Sequence, residues 1–224
     1  MKRIIAILIL VLVVTGCNPA SSNETGNSEE VIEVTVLSVS QEGLLVYQQD
    51  IGLISLEKSD DFKRGDVLDI VYDGGIRESY PAQLGKVLKI SKKKTNENEI
   101  ILYMKMVEKL LEQTNLAKDI EEAAVNIKGL KRADLSALNY LLHGLLKVEK
   151  IHEVESLEQL KSLVPSIEKS PEKGYENGIY LIIEASEDSF IKAAFWKSQE
   201  KIFLMEFSYE KEAGIYQLKV RDDN

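Results

Sequence analysis

The sequence has few of the residues on which the commoner enzyme active sites depend. It contains one cysteine and two histidines, His143 and His152, in 224 residues. The histidines do not have the His-Glu-x-x-His spacing of zinc hydrolases. The chain also lacks the Gly-x-Ser-x-Gly motif of serine hydrolases and the glycine-rich motifs that bind phosphates or dinucleotides. We therefore predict no catalytic residues, no metal site and no cofactor.

Proline and basic residues are also scarce. The chain has only 4 prolines, which argues against a fibrous protein, and its 37 acidic residues outnumber 28 basic ones. A general nucleic-acid-binding protein needs a basic surface to displace the counterions of phosphates, so this charge balance argues against a nucleic-acid partner. Hydrophobic residues make up 44% of the chain, which is typical of a globular protein with one large or two small domains.

The N-terminus is organised like a bacterial signal peptide. Two basic residues precede an unbroken apolar run at residues 4–14, which is shorter than the roughly 20 residues that a membrane-spanning helix needs. The sequence Val-Thr-Gly-Cys at residues 14–17 resembles the bacterial lipobox. This resemblance implies that residues 1–16 are a signal peptide, that cleavage occurs between Gly16 and Cys17, and that the thiol of Cys17 carries a diacylglycerol.

Residues 17–30 are predicted to be the lipidated cysteine and a flexible tether. Residues 18–30 contain no aliphatic residue larger than alanine, so they cannot bury enough apolar surface to fold. A coil of this length extends roughly 20 Å on average. Two acyl chains on Cys17 are sufficient for stable anchoring. The predicted location is therefore the extracytoplasmic face of the cell membrane, with lipid as the attachment.

Residues 31–98 are predicted to form a small β-domain. Short stretches rich in β-branched and aromatic residues alternate with turn residues such as Asp73, Gly74 and Gly75. Five or six strands in some sixty residues indicate an antiparallel barrel or sandwich, with an OB-like fold among the alternatives. Residues 91–98 contain three lysines and no apolar residue before the next helical pattern, and we interpret them as a polar hairpin tip or a domain boundary.

Residues 103–224 are predicted to form an α+β domain. Apolar residues recur every three or four positions from Met104 to Ile127 and from Leu135 to Leu142, which is typical of amphipathic helices. Gly144 is a candidate helix stop, and a capping-box pattern begins at Ser156. Four apolar segments within residues 178–221 predict a four-stranded antiparallel meander on which the helices pack, so the fold class of the chain is α+β.

Residues 71–83, Val-Tyr-Asp-Gly-Gly-Ile-Arg-Glu-Ser-Tyr-Pro-Ala-Gln, resemble a motif of YobA-like domains. These are small domains of unknown function on lipoproteins of Gram-positive bacteria, and the resemblance covers residues 31–91. It implies a small β-domain on a Gram-positive cell surface and implies no activity. The C-terminal half resembles other uncharacterised surface lipoproteins only faintly.

This segment has two interpretations. In the first, Asp73, Glu78, Ser79, Tyr80 and Gln83 form a ligand-binding or partner-binding patch. In the second, which we favour, the segment is architectural: its polar residues form turns, and Tyr80 adopts an extended conformation before proline and packs its ring on the β-domain.

Three functions are compatible with these observations. The favoured hypothesis is a non-enzymatic binding module at the cell surface, with an unknown protein or cell-wall ligand. The second is a cell-wall hydrolase with an unrecognised pair of carboxylates, because the spacing of such a pair cannot be recognised in a sequence. The third is a structural subunit of an envelope assembly, which would show a large exposed apolar patch.

Overall fold

The structure is a computed structural model that describes residues 29–57, 62–169, 172–185 and 190–221. The predicted signal peptide, the cleavage site, Cys17 and most of the predicted tether lie outside the described residues. Within the described ranges, no helix is both long enough and apolar enough to cross a membrane.

The N-terminal part forms a seven-stranded sheet, the first sheet, in the order β5-β6-β3-β2-β1-β4-β7. The two outermost strands of this order do not pair with each other, so the described strands do not close into a barrel. The strands are β1 (Glu30–Val39), β2 (Gly43–Gln48), β3 (Gly52–Glu57), β4 (Asp66–Tyr72), β5 (Ile76–Arg77), β6 (Ala82–Leu84) and β7 (Val87–Thr95).

The period-two pattern of these strands determines which face of the first sheet is buried. Alternate residues such as Val34 and Val36 on β1 and Val46 on β2 are at most 1% exposed and form one apolar core. The opposite face carries Leu37, Tyr47 and Leu53, which pack against the helices. The first sheet therefore has its own core on one face and contributes to a second core on the other.

The lysine-rich segment is part of a strand and does not form the hairpin tip that the sequence suggested. β7 pairs with β4 from Asp66 to Tyr72 and lies at one end of the strand order. Lysines suit such an edge because they discourage pairing with another chain. Lys92 is also an ion-pair partner of the buried carboxylate of Asp66, at 2.7 Å.

The described residues of the C-terminal part combine four helices with a six-stranded sheet, the second sheet, in the order β13-β12-β11-β10-β8-β9. The antiparallel β10–β13 meander and the α+β class are confirmed. The elements are α1 (Glu99–Gln113), β8 (Glu122–Ile127), α2 (Arg132–Leu146), β9 (Lys150–Glu153), α3 (Leu157–Leu163), α4 (Ser166–Lys169), β10 (Gly178–Ala185), β11 (Ile191–Ser198), β12 (Lys201–Glu212) and β13 (Ile215–Val220).

Two helix predictions in this part are wrong. Residues 122–127 form strand β8, which pairs in parallel with β9 and β10. Ala123 and Ala124 are both completely buried, on opposite faces. A strand covered on both faces gives an unbroken apolar run, which the sequence pattern cannot distinguish from a helix. Helix α2 also continues past Gly144 to Leu146, and its C-cap is Lys147 in the left-handed conformation, with φ of 55°.

Helices α1 and α2 lie between the two sheets and share one core with both. Leu37 and Tyr47 of the first sheet belong to the same buried cluster as Met106 of α1, Leu138 of α2 and Phe195 of β11. The other face of the second sheet packs against α3 and α4 around Leu160 and Trp196. The division into domains at residues 31–98 and 103–224 stays a prediction.

Glu97 binds the junction between β7 and α1 to the second sheet through hydrogen bonds and an ion pair. Its carboxylate, 6% exposed, accepts hydrogen bonds from the Lys105 ammonium at 2.7 Å and from the Tyr216 amide at 2.8 Å. Its carbonyl oxygen accepts from the Lys211 ammonium at 2.6 Å, and its amide donates to the Gly214 carbonyl at 2.7 Å. One short segment thus fixes how the first sheet meets the β12–β13 hairpin.

Candidate functional site

A groove lies where the first sheet meets α1 and α2, and it encloses about 420 Å³. One side is formed by β1, β2 and β3, and the opposite side by the two helices. The groove is lined by Ser38, Ser40, Glu42, Gly43, Leu44, Leu45, Ser55, Arg64, Met104, Glu108, Tyr140, Leu141, Gly144 and Leu145.

The strand side of the groove contains a row of mostly polar side chains. Ser38 is directly opposite Leu45, Leu45 is opposite Ser55, Ser55 is opposite Gln83, and Gln83 is opposite Arg77. Directly opposed residues point to the same face of a sheet. We call these five residues the cross-strand row. It begins in the groove and continues beyond it over β6 and β5.

The polar members of the cross-strand row are available for a ligand. Within the described part of the chain, the side chains of Ser38, Ser55, Gln83 and Arg77 have no hydrogen-bond partner. Ser55, Gln83 and Arg77 are exposed and Ser38 is half-buried. Their hydroxyl, amide and guanidinium groups supply both donors and acceptors.

The helix side of the groove is apolar and locally open. Tyr140 and Gly144 are one helical turn apart on α2, so they occupy the same face of the helix. A Cβ atom added at Gly144 would meet no heavy atom within 4 Å. The missing side chain therefore leaves free space beside Tyr140, Leu141 and Leu145.

An ion pair joins the two sides of the groove. The Arg64 guanidinium, from the turn before β4, donates from its Nη1 nitrogen to both carboxylate oxygens of Glu108 on α1, at 2.8 and 3.0 Å. Both side chains remain about one-third exposed, at 36% and 30%. The pair is therefore accessible from the groove, and its two charges neutralise each other.

Tyr80 contacts a helix, a contact that the sequence did not predict. Its side chain is 57% exposed. Its ring meets the Tyr140 ring edge to face, with centroids 5.7 Å apart and planes at 82°. Partial burial, and secondarily the nearby Tyr140 hydroxyl, raise the pKa of Tyr80. The Tyr80-Pro81 peptide bond is cis. The structure thus brings this sequence-predicted residue to a residue that lines the groove.

A second tyrosine connects the same sheet and helix. The buried Tyr47 of β2 donates its hydroxyl hydrogen bond to the Asp134 carboxylate of α2 at 2.5 Å. Burial, followed by this hydrogen bond, raises the pKa of Tyr47. Because its hydroxyl is already bound, Tyr47 serves to position α2 against the first sheet.

The remaining residues of the predicted patch lie apart from the groove lining. The Asp73 carboxylate accepts a hydrogen bond from the Gly75 amide at 3.3 Å, and the Ser79 hydroxyl donates to the Pro81 carbonyl at 2.7 Å. Both therefore stabilise local turns. Glu78 is exposed. Of the five predicted residues, Tyr80 contacts the groove lining and Gln83 belongs to the cross-strand row.

Sequence reasoning missed most of the residues that line the groove. Ser38, Ser55, Arg64, Glu108 and Tyr140 come from five separate elements or turns and form no motif in the sequence. Besides Tyr80 and Gln83 of the predicted patch, the sequence indicates the groove through a glycine inside a helical pattern at position 144.

The histidines do not form a metal centre. Nε2 of His152 lies 2.8 Å from a carboxylate oxygen of Glu122, and Nε2 of His143 lies 3.3 Å from the Glu149 carbonyl oxygen. No group of three or more histidine, cysteine or acidic side chains that could hold a metal occurs in the ranges that the structure describes.

A second cavity, of about 520 Å³, lies at the carboxyl ends of the parallel strands β8 and β9. Several of its polar groups bind one another. The side-chain amide of Asn126 donates to the backbone carbonyl of Glu155 and to the Tyr180 hydroxyl, both at 3.0 Å. The side-chain oxygen of Gln159 accepts from the backbone amide of Glu155 at 2.6 Å. We therefore take the groove as the candidate site.

Comparison with known proteins identifies one part of the chain. Residues 1–18 match the family model described as a prokaryotic membrane lipoprotein lipid attachment site. No curated protein and no solved structure matches the chain. The match supports the lipobox interpretation, and the chain is a lipid-anchored membrane lipoprotein. It does not extend to the folded part, where the YobA-like resemblance stays a hypothesis.

Proposed function

We propose that this lipoprotein is a non-enzymatic binding module on the extracytoplasmic face of the membrane and that it holds its ligand in the groove. The observation that carries this proposal is the groove with its unpaired polar row. The volume of about 420 Å³ lies within the range of roughly 300–1,000 Å³ that ligand sites occupy. The apolar helix side and the polar strand side together supply the mixture of contacts that such sites have.

The anchor supports the same proposal. Acylation of Cys17 after export would leave the folded part, which begins with β1, beside the membrane at the end of a tether formed by residues 18–29. A reach of roughly 20 Å gives it access to wall material or to neighbouring surface proteins. The proposal includes that the surface is that of a Gram-positive cell and that the first sheet is a YobA-like domain.

A wall hydrolase is less well supported. The groove contains two acidic residues, Glu42 and Glu108. Glu108 is already the ion-pair partner of Arg64, which leaves Glu42 as the one carboxylate of the lining outside an ion pair, whereas glycoside hydrolysis uses two.

A structural role in an envelope assembly is the second candidate. Ile202 and Leu204 are two positions apart on β12, so they share one face of the second sheet, and they are 55% and 53% exposed. Neighbouring exposed apolar side chains of this kind suit a protein contact.

The proposal is tested by filling the groove. Gly144→Phe places a ring in the open space beside Tyr140, whereas Gly144→Ala adds one methyl group and serves as the matched control. Both changes remove a glycine from a helix, so neither should lower the melting temperature. The full-length lipidated proteins, in phosphatidylcholine liposomes, are sedimented with purified Gram-positive wall fragments. We expect wild type and Gly144→Ala to cosediment and Gly144→Phe to bind at least about tenfold more weakly, a change equivalent to about 1.4 kcal/mol.

Two results would contradict the proposal. One is equal cosedimentation of all three proteins, which would place any binding outside the groove. The other is the absence of wall binding by the wild type, which would leave the exposed residues of β12 as the better-supported surface.

A further inference from the structure

We propose that the ligand is a neutral, hydroxyl-rich chain of the kind that an oligosaccharide provides. This inference rests on the proposed function, because it names the ligand of the same groove. It follows from three features of the site: the length of the cross-strand row, the balance of charge, and the arrangement of apolar and polar groups on opposite sides.

The cross-strand row is longer than a single small molecule. It crosses five neighbouring strands, from Ser38 on β1 to Arg77 on β5. Adjacent strands are about 4.8 Å apart, so the row extends roughly 19 Å from its first strand to its last. A ligand that reaches the separate polar side chains at Ser55, Gln83 and Arg77 has to be an extended chain with hydrogen-bonding groups along its length.

The charges of the site favour a neutral chain. Arg64 and Glu108 neutralise each other across the groove. The other charged residues are Glu42 in the groove lining and Arg77 at the far end of the row, and these have opposite signs. A polyanion would need a concentration of basic side chains, and a polycation would need a corresponding concentration of acidic ones. The lining supplies neither.

The two sides of the groove match the two kinds of surface on a sugar ring. A pyranose presents C–H groups on its faces and hydroxyl groups around its rim. The helix side offers the Tyr140 ring, which is 42% exposed and is held edge to face by Tyr80, together with Leu141 and Leu145. An aromatic ring of this kind provides a large apolar surface at little conformational cost. The strand side offers the hydroxyl and amide groups of the cross-strand row.

The ion pair adds a group that suits neighbouring hydroxyls. Arg64 contacts the two oxygens of Glu108 through the single nitrogen Nη1. The guanidinium has five N–H donors and the carboxylate has about four acceptor positions, so both residues keep unused capacity. A donor and an acceptor fixed side by side can bind two adjacent hydroxyl groups, each of which donates and accepts.

The test uses three soluble hexasaccharides, built of N-acetylglucosamine, of cellulose-type glucose and of starch-type glucose. The matching disaccharides show whether binding depends on the length of the chain. Polyphosphate and hexalysine are the charged comparisons. Binding to the full-length lipidated protein in phosphatidylcholine liposomes is measured by calorimetry. We expect at least one hexasaccharide to bind at least tenfold more tightly than its disaccharide, and we expect Gly144→Phe to abolish that binding.

Matched pairs of variants locate the ligand on the row. Gln83→Ala and Ser55→Ala each remove a neutral hydrogen-bonding group, and each should weaken binding by about 2- to 12-fold. Gln217→Ala on β13 and Ser208→Ala on β12 make the same chemical changes on the second sheet, and they should leave the affinity unchanged.

The outcomes separate this inference from the proposed function. If Gly144→Phe weakens wall binding but no saccharide binds, the saccharide inference is overturned and the groove keeps its role. The inference is equally overturned if polyphosphate or hexalysine binds in a Gly144→Phe-sensitive way and the saccharides do not. If a saccharide binds equally to wild type, Gly144→Phe and Gln83→Ala, the site lies elsewhere and both statements fail.

Discussion

Replacing Glu97 by glutamine tests whether one buried carboxylate holds the two sheets together. The substitution keeps the shape of the side chain but removes its charge. The Lys105 ammonium, 25% exposed, then loses its anionic partner: the Oε2 acceptor is replaced by a neutral oxygen, and the other acceptor of Lys105 is the Tyr216 carbonyl at 2.9 Å. The Tyr216 amide can still donate to the neutral amide oxygen that replaces the carboxylate.

The expected loss follows from the one charged contact that glutamine cannot replace. A hydrogen bond to a charged group contributes about 1.5–3 kcal/mol. For a chain of this size each kcal/mol lowers the melting temperature by about 2–4 °C, so Glu97→Gln should lower it by about 3–12 °C. Glu97→Ala also deprives the Tyr216 amide of its acceptor, and it should cost about 3–5 kcal/mol.

Glu112→Gln is the matched control. Glu112 lies on α1 and pairs with Lys109 at 2.6 Å, but its side chain is 58% exposed, and an exposed pair contributes about 0–1 kcal/mol. Thermal unfolding followed by circular dichroism, together with urea midpoints, compares the two variants. If Glu97→Gln shifts the midpoint no more than Glu112→Gln does, the role assigned to Glu97 is refuted.

Four further predictions concern other parts of the molecule. Cys17→Ser should abolish lipid labelling and membrane retention, and retention of both would refute the lipidation site. Tyr80→Ala should cost about 0.5–1.5 kcal/mol, the contribution of an aromatic pair, because its ring is largely exposed; a loss of 3 kcal/mol or more in a urea melt would favour the architectural interpretation. Burial raises the pKa of Asp66, but the contacts of its carboxylate with Lys92, the Lys63 amide and Thr95 outweigh burial and lower it. The ionised carboxylate therefore stabilises the fold fully above the unfolded-state pKa of about 3.9, and this stabilisation is lost as the pH falls below that value. Asp66→Asn should make the urea midpoint less sensitive to acid. Limited proteolysis tests the predicted division into domains: cleavage within residues 92–102 would support it, and a stable product that spans residues 92–102 would contradict it.

The sequence predicted those elements whose pattern reflects contact with one core. Strand β2 of the first sheet and strands β12 and β13 of the meander largely alternate more buried with more exposed residues. The helix pattern from Met104 was correct for α1, since one of its faces meets the second sheet and another meets the first. In each case a local periodicity was sufficient, because it depends only on which side of the element is covered.

Strand β8 and the positions that depend on a distant partner could not be predicted in this way. Ala123 and Ala124 of β8 are buried on opposite faces, which gives no alternation to recognise. The lysines of β7 look like a loop until Asp66, far away in the sequence, is known to pair with Lys92. Tyr80 contacts Tyr140, and that contact depends on how α2 packs on the first sheet.

The cross-strand row also has no local pattern in the sequence, because each of its members comes from a different strand. Ser38, Ser55 and Gln83 become neighbours only through the order and register of four strands, and one step in that order is the parallel pairing of β3 with β6. A shift of one residue in any of these strands would turn its member of the row to the other face. The row is therefore a property of the register, and no segment of the chain carries it alone.

Gly144 shows how stability and function can be separated at this site. A glycine inside a helix costs about 0.5–1 kcal/mol relative to alanine. Glycine is usually explained by a positive φ or by the close approach of another group, but Gly144 has neither. Its backbone is helical, and the space beside it is open to the groove. Under the proposed function, a position that weakens its own helix, and that no local geometry requires, is the space that the ligand would occupy. Gly144→Ala should therefore stabilise the protein, whereas a larger side chain at the same position should stabilise the helix and close the groove.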